Sequence, residues 1–322
     1  MEISTYIAYD PTRTTSLRNL FAKDVHKRFG EFVRVIRESI VTQDCFGLTH
    51  KAVATHQVAP TGSGAFTFMR DPEKVEAFMR WLRQQEEKGL LTIGQFEQIG
   101  RAVNEAWTNR YILDSYKRGV MRARYELQKA GVPPLENTGG IEASMGTPFH
   151  MDRVGLLFTR VFSQLQGITA AMDSTISQVL AQGMIDGDGP ALIARKIIAT
   201  IDGRGLGDLG ITDKLGRFIP AERRAIMLAR TETIRAFHLA AIQEYRNWAV
   251  VDVYVQAEWM TAGDNKVCPE CAKMEYNADG TRKIYSLDEI EPLIPLHPFC
   301  RCIALPYLEE LKPYYSNKKE YK

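Results

Sequence analysis

Cys268-Pro269-Glu270-Cys271, answered downstream by His297-Pro298-Phe299-Cys300-Arg301-Cys302, is the stretch around which the rest of the chain reads. Four of the five cysteines lie in it. In Cys-x-x-Cys a tight turn brings two thiolates to one point, the usual first half of a tetrahedral zinc knuckle. If 300–302 is extended, alternate residues face the same way, so the sulfurs of Cys300 and Cys302 meet a common ion. Pro298 disfavours helix at His297 and supports that extended geometry. Five donors compete for four tetrahedral positions. The ligand set is Cys268, Cys271, Cys300 and Cys302, or three of these with His297, and spacing leaves both open.

Two other readings stand beside a metal. Cysteine is often a small buried hydrophobe, although four thiols in two short motifs are a poor way to fill a core. Cys268–Cys271 and Cys300–Cys302 are also candidate redox disulfides. Met1–Asp10 lacks a basic start followed by an apolar run, so no secretory leader is expected and the thiols are expected to stay reduced. A structural zinc is therefore the expected cofactor. A catalytic zinc would keep an open position. The zinc deaminase pattern, His-x-Glu before Pro-Cys-x-x-Cys, fails here: the Cys-x-x-Cys comes first, Pro269 lies inside it, and no Glu follows His297.

Working outward, Val251, Val253, Val255, Ala257 and Trp259 alternate with Asp252, Tyr254, Gln256 and Glu258, the pattern of a half-buried strand. That strand leads through Thr261-Ala262-Gly263-Asp264 into Cys268. Between the thiol halves, Asp279-Gly280 marks a turn, and Ser286-Leu287-Asp288-Glu289 has the spacing of a capping box. The result is a hairpin-like β element that holds both thiol halves, with Cys300–Cys302 as a strand. Further upstream the period is helical. Helices are expected over about Ala221–Trp248, from Pro190 to Ile201, and over about His150–Gln182. The loop Gly203–Gly210 has no Gly-x-x-x-x-Gly-Lys-Ser/Thr pattern, so a phosphate cradle is not supported.

Pro133 to Pro148 reads as a linker. Before it, a helix is expected over Thr15–Val41, with Leu17, Leu20, Phe21, Val25, Phe32, Val33, Ile36 and Ile40 as its stripe. A second starts at Asp71-Pro72 and ends at Gly89, and a third runs from near Thr92 to Lys129. Arg110, Lys117, Arg118, Arg122, Arg124 and Lys129 make the third helix basic, which suits phosphate or an acidic partner; a solvated face is the plainer explanation. The fold class is mostly α with a small C-terminal α+β module. Its domains are a helical 1–140, a 141–310 unit (helical 148–249, strand and Cys/His module 250–306) and a tail, 311–322, rich in Lys and Tyr. Periodicity does not decide whether the first 140 residues form their own bundle.

Ala229-Arg230-Thr231-Glu232, then Trp259-Met260-Thr261-Ala262-Gly263-Asp264, then Val267-Cys268-Pro269-Glu270-Cys271, then Ile294-Pro295-Leu296-His297-Pro298-Phe299-Cys300-Arg301-Cys302 occur in that order. Together they resemble the C-terminal domain of the phage Mu F-like minor head (head morphogenesis) proteins, over roughly 145–305. The resemblance implies a virion protein of a tailed phage or prophage that is made in the host cytoplasm, with the portal protein as partner and with major capsid or scaffolding protein and packaged DNA as further contacts. Arg230, Thr231, Glu232, Trp259, Asp264, Cys268, Cys271, His297, Cys300, Arg301 and Cys302 match the family pattern, which assigns none of them a catalytic role. Arg230 and Glu232 are expected to pair with the strand and knuckle, with Trp259 packed beneath.

Composition limits the alternatives. A hydrophobic content of 45% and a charged content of 25% are globular values, and a net charge of +2 does not by itself argue for nucleic acid or membrane. No apolar run approaches the ~18 residues of a spanning helix, so no membrane partner is expected. No Ser–His–Asp arrangement, paired-carboxylate motif or cofactor fingerprint stands out, so no enzyme is expected. The competing function is a zinc-knuckle nucleic-acid-binding protein that uses the basic helix and the C-terminal lysines.

Overall fold

The computed structural model describes residues 10–48, 71–98, 101–132, 140–203, 219–249 and 254–308. Of the expected linker, Pro133–Pro148, residues 133–139 lie outside the described residues, as do most of the glycine loop, strand residues Val251 and Val253, and the 311–322 tail; the rest of that linker is not a plain loop, since Ile141–Met145 is helical. Helix α1 (Thr15–Arg37) continues into a π-helical turn, Glu38–Thr42. α2 is Asp71–Lys88, and strands β1 (Ile93–Gln98) and β2 (Arg101–Ala106) follow it. Then come α3 (Asn109–Lys129), α4 (Ile141–Met145), α5 (Pro148–Ile185), α6 (Pro190–Asp202) and α7 (Ala221–Ala249). The C-terminal module is β3 (Gln256–Met260), α8 (Pro269–Glu275), β4 (Ile284–Tyr285), α9 (Leu287–Ile290) and β5 (Ile303–Tyr307). The protein is mostly α with a small C-terminal antiparallel sheet.

The helices form where apolar residues recur every three or four positions. In α1, Leu17, Phe21, Val25, Phe29, Phe32 and Ile36 are buried; in α5, Val154, Leu157, Val161, Leu165, Ile168, Met172 and Ile176 are. Both stripes cover one face, as a surface helix requires. Leu20, read as part of the α1 stripe, points out and is 56% exposed. One expected helix is replaced at its start: the run from near Thr92 begins as an antiparallel hairpin that pairs Ile93 with Ala106 and Phe96 with Val103. Gly94 and Gly100 each cost a helix about 1 kcal/mol relative to alanine, so helix begins only at Asn109.

α7 is buried on more than one side, the mark of a central helix. Ala221, Ala225, Ala229, Ala236 and Ala240 join a large core with α1, α2, α3, α5 and α6. Ile234, Ala241, Ile242, Tyr245 and Trp248 join a second core with the C-terminal module and the end of α3. Gly119 of α3 makes the α3–α7 crossing close: a Cβ there would lie 2.2 Å from the Phe237 carbonyl oxygen and 2.7 Å from the Ala240 Cβ. The helices before 133 therefore pack on those after 140 in a shared core.

In the module, β3 is central between β4 and β5, all antiparallel, with Trp259 opposite Ala304 and Met260 opposite Ile303. The period-two reading holds for the described part of the strand: Val255, Ala257 and Trp259 are buried. Among the described residues, no helix is long and apolar enough to cross a membrane.

Candidate metal centre

The thiol halves are presented by short elements around the sheet. After β3, Thr261 donates its hydroxyl to Glu275 Oε2 at 2.6 Å in a buried contact, and Gly263 turns the chain with φ +64, a conformation open to glycine at no Cβ cost. Cys268 is the N-cap of α8, and Pro269 occupies its first turn. The Cys271 amide donates to Cys268 Sγ at 3.3 Å. The Cys-x-x-Cys thus closes at a helix start rather than in a free turn, because proline at the first helical position fits an otherwise unpaired N–H.

The second half follows α9, whose capping box between Ser286 and Glu289 is present as the sequence predicts. His297 Nδ1 lies 2.7 Å from the Pro298 carbonyl oxygen and donates to it, so Nε2 is the ring nitrogen turned toward the sulfurs. The Cys300 amide donates to the His297 carbonyl at 3.1 Å, and Phe299 between them has φ +64. Residues 300–302 are accordingly not a strand, and β5 begins only at Ile303. The expected convergence of Cys300 and Cys302 nevertheless occurs, in a segment that is not part of a paired strand.

The five predicted donors fall in two groups of three that share Cys271. The ligating atoms of Cys268, Cys271 and His297 lie within 4.8 Å of one another, as do those of Cys271, Cys300 and Cys302. His297 Nε2 is 3.2 Å from the sulfurs of both Cys268 and Cys271, and Cys271 Sγ is 3.9 Å from Cys300 Sγ. Tetrahedral zinc with Zn–S bonds of ~2.3 Å separates its sulfurs by roughly 3.8 Å, so the spacing suits that ion. The five cysteines are free thiols. Hydrogen bonding from Cys302 and backbone amides holds the Cys300 thiol down at about 5. Burial and the neighbouring sulfurs push Cys271 up to about 12, and Cys302 is raised as well, first by its contact with Cys300. Thiols bind a metal as thiolates, so loading one here releases protons.

The other predicted residues divide. Arg301 forks onto Asp264 at 2.6 and 2.7 Å, joining the loop before Cys268 to the Cys300–Cys302 segment and holding the Asp264 carboxyl down at about 2. Trp259 is fully buried in the same core as Cys271, Cys300 and Cys302. Thr231 Oγ1 accepts the Phe299 amide at 3.4 Å, and the Arg230 guanidinium lies 5.7 Å over the Phe299 ring. Glu232 does not reach the knuckle as expected. It is buried between Arg160 and Arg235, 3.2 Å from each, because it points toward α5. Unforeseen in the sequence was a surface groove of about 510 Å³ beside Cys268 and His297, lined also by Glu270, Lys273, Met274 and Leu296. Only tertiary packing places Leu296 next to α8, so no local signal marks it.

The basic side chains of α3 are mostly engaged within the chain. Arg110 pairs with Asp24, Lys117 with Glu142, Arg122 with Glu126 and Arg124 with Glu244, and Arg118 reaches the Arg13 carbonyl.

Residues 174–305 match the family described as phage Mu protein F like protein. The match runs from the second half of α5 to β5 and so holds every donor of the cluster; it begins later than the 145 to which the resemblance extends. No curated protein and no solved structure matches the chain.

Proposed function

We propose that this chain, which carries a phage Mu F-like module, is a minor capsid (head morphogenesis) protein of a tailed phage or prophage that associates with the portal during head assembly. The observation that carries this reading is the family match over 174–305, which falls on the sheet, the Cys/His cluster and the helix that joins them to the body. In this reading the module is a rigid connector. A structural zinc held by Cys268, Cys271, His297, Cys300 and Cys302, or by four of them, ties the loop after β3 to the segment before β5. The role is architectural rather than catalytic. The helical body supplies the surface for other head components.

The nucleic-acid alternative relied on the basic face of α3. Since Arg110, Lys117, Arg122 and Arg124 are paired internally, that face offers phosphate less charge than the sequence implies, and we rank the alternative second.

Quantitative mass spectrometry of purified particles tests the proposal, by the ratio of this chain to the major capsid protein. A few copies per DNA-filled particle is the expected result. Presence in precursor heads alone would make it an assembly factor without a place in the virion. Absence from both overturns the proposal.

A further inference from the structure

The five donors of the cluster are not equivalent. Cys271, Cys300 and Cys302 are buried, at 3%, 1% and 3% exposure. Cys268 and His297 are half-buried and line the groove of about 510 Å³, whereas Cys300 and Cys302 do not. Cys271 belongs to both groups of mutually close donors. The cluster thus has an inner set of three thiols and an outer pair that meet at one shared sulfur.

We propose that Cys271, Cys300 and Cys302 are the fixed ligands of a zinc-type ion, and that Cys268 and His297 are interchangeable fourth ligands, either of which closes the tetrahedron from the groove side. This inference rests on the structural-metal reading above and goes beyond it by assigning each donor its place. Three inner thiolates are a soft donor set, which selects zinc over the hard cations magnesium and calcium. They sit in a core with Trp259, Ile290 and Ile294, and close-packed interiors resist movement. The outer pair has the groove beside it and therefore room to turn.

The outer pair is also matched in distance and chemistry. His297 Nε2 is 3.2 Å from both Cys268 Sγ and Cys271 Sγ, so both outer donors lie beside the shared sulfur while a four-coordinate ion has one position left. Each is prepared to ligate. The Nδ1 contact with the Pro298 carbonyl turns His297 Nε2 toward the sulfurs, and Cys268 Sγ is held at the start of α8 by the Cys271 amide.

The test titrates cobalt(II), a spectroscopic stand-in for zinc, into the reduced full-length chain and into variants whose circular dichroism matches the wild type. The wild type is expected to give a tetrahedral spectrum with sulfur-to-cobalt charge-transfer bands. Cys268→Ser and His297→Ala should each keep the tetrahedral spectrum and weaken binding by no more than about tenfold, about 1.4 kcal/mol. The charge-transfer bands should be stronger in His297→Ala, with four thiolates, than in Cys268→Ser, with three. The double variant should lose more than about a hundredfold in affinity, and Cys45→Ser, remote from the cluster, should change nothing. Loss of the tetrahedral spectrum in either outer single variant, or its retention at full affinity in Cys302→Ser, overturns the assignment. A wild-type chain that binds no cobalt overturns the metal reading itself, and portal association then stands or falls on the particle measurement.

Discussion

The helical body and the C-terminal module are two cores built on different principles, with α7 passing through both. The body buries long stripes of Leu, Ile, Val and Phe from α1, α5 and α6. It is held mainly by apolar area, at about 25 cal/mol per Å² removed from water. The module is smaller, and its core mixes Trp259, Tyr245 and Trp248 with three cysteines. Around that core run directed polar contacts: the Arg301–Asp264 fork, the Glu275 contacts with Thr261 and Arg282, and the capping box of α9. A small sheet has few residues with which to exclude water, so specific contacts and a metal make up what area does not supply.

The largest expected effects come from removing one central residue in each region. Trp259→Ala empties the middle of the module core and should cost about 4 kcal/mol, read by urea denaturation. Gly119→Ala drives a methyl into the α7 backbone at Phe237 and should cost about 3 kcal/mol. The comparison sharpens if Trp259→Ala abolishes cobalt binding at low urea while Gly119→Ala preserves it. It breaks if both variants lose metal and helix together, since body and module would then unfold as one unit.

The two regions should also respond to pH in opposite directions. Glu86 of α2 is buried beside Asp173 of α5, and burial, reinforced by that carboxylate, pushes its carboxyl up to about 9. Its folded form holds a proton that the unfolded chain has lost, so this group makes stability fall as pH rises from about 4.5 to about 9. His238 of α7 has the reverse sign. Its Nε2–H donates to the Ile290 and Glu291 carbonyls at 3.2 Å, and burial lowers its pKa to about 4. The unfolded chain then takes up the proton first, so stability falls as pH drops from about 6.5 towards 4, by about 3 kcal/mol in all. Glu86→Gln should flatten the alkaline limb and His238→Gln the acid limb in denaturant midpoints measured across pH. If either variant leaves its limb unchanged, that group is not the source.

The smallest expected effect lies on the module's surface. Ser286→Ala removes the cap of α9 and should cost about 1 kcal/mol. A loss several times larger would mean that α9 positions the His297 segment and does more than decorate it.

Much of this was legible in the chain. The α1 and α5 stripes, the Cys/His donors, the capping box at Ser286 and the alternation leading to Trp259 are local patterns, and local patterns report local structure. The run from near Thr92 reads as helix because Ile112, Tyr116 and Val120 continue a helical stripe, but Ile93–Gln98 and Arg101–Ala106 pair as strands before it begins. Cys300 and Cys302 converge as expected, although β5 begins only at Ile303 and the turn at Phe299 comes just before them. Glu232 was assigned to the knuckle because it sits in one motif with Arg230 and Thr231, yet consecutive helix positions point different ways, and it faces Arg160.

By itself the sequence determined the helical class, the donors that can hold a metal and the order of blocks shared with the Mu F-like family, because each of these is written in residue type and short spacing. Only the tertiary structure decided that the first helices share a core with the later ones. Only it showed that Arg110, Lys117, Arg122 and Arg124 of α3 pair with carboxylates of the chain, and that Cys271 joins an inner to an outer set of donors. The shared core and the Arg124–Glu244 pair depend on which faces meet across gaps of more than a hundred residues, as Gly119 meets Phe237, and the Cys/His cluster on how the module folds back on itself; short-range spacing encodes neither.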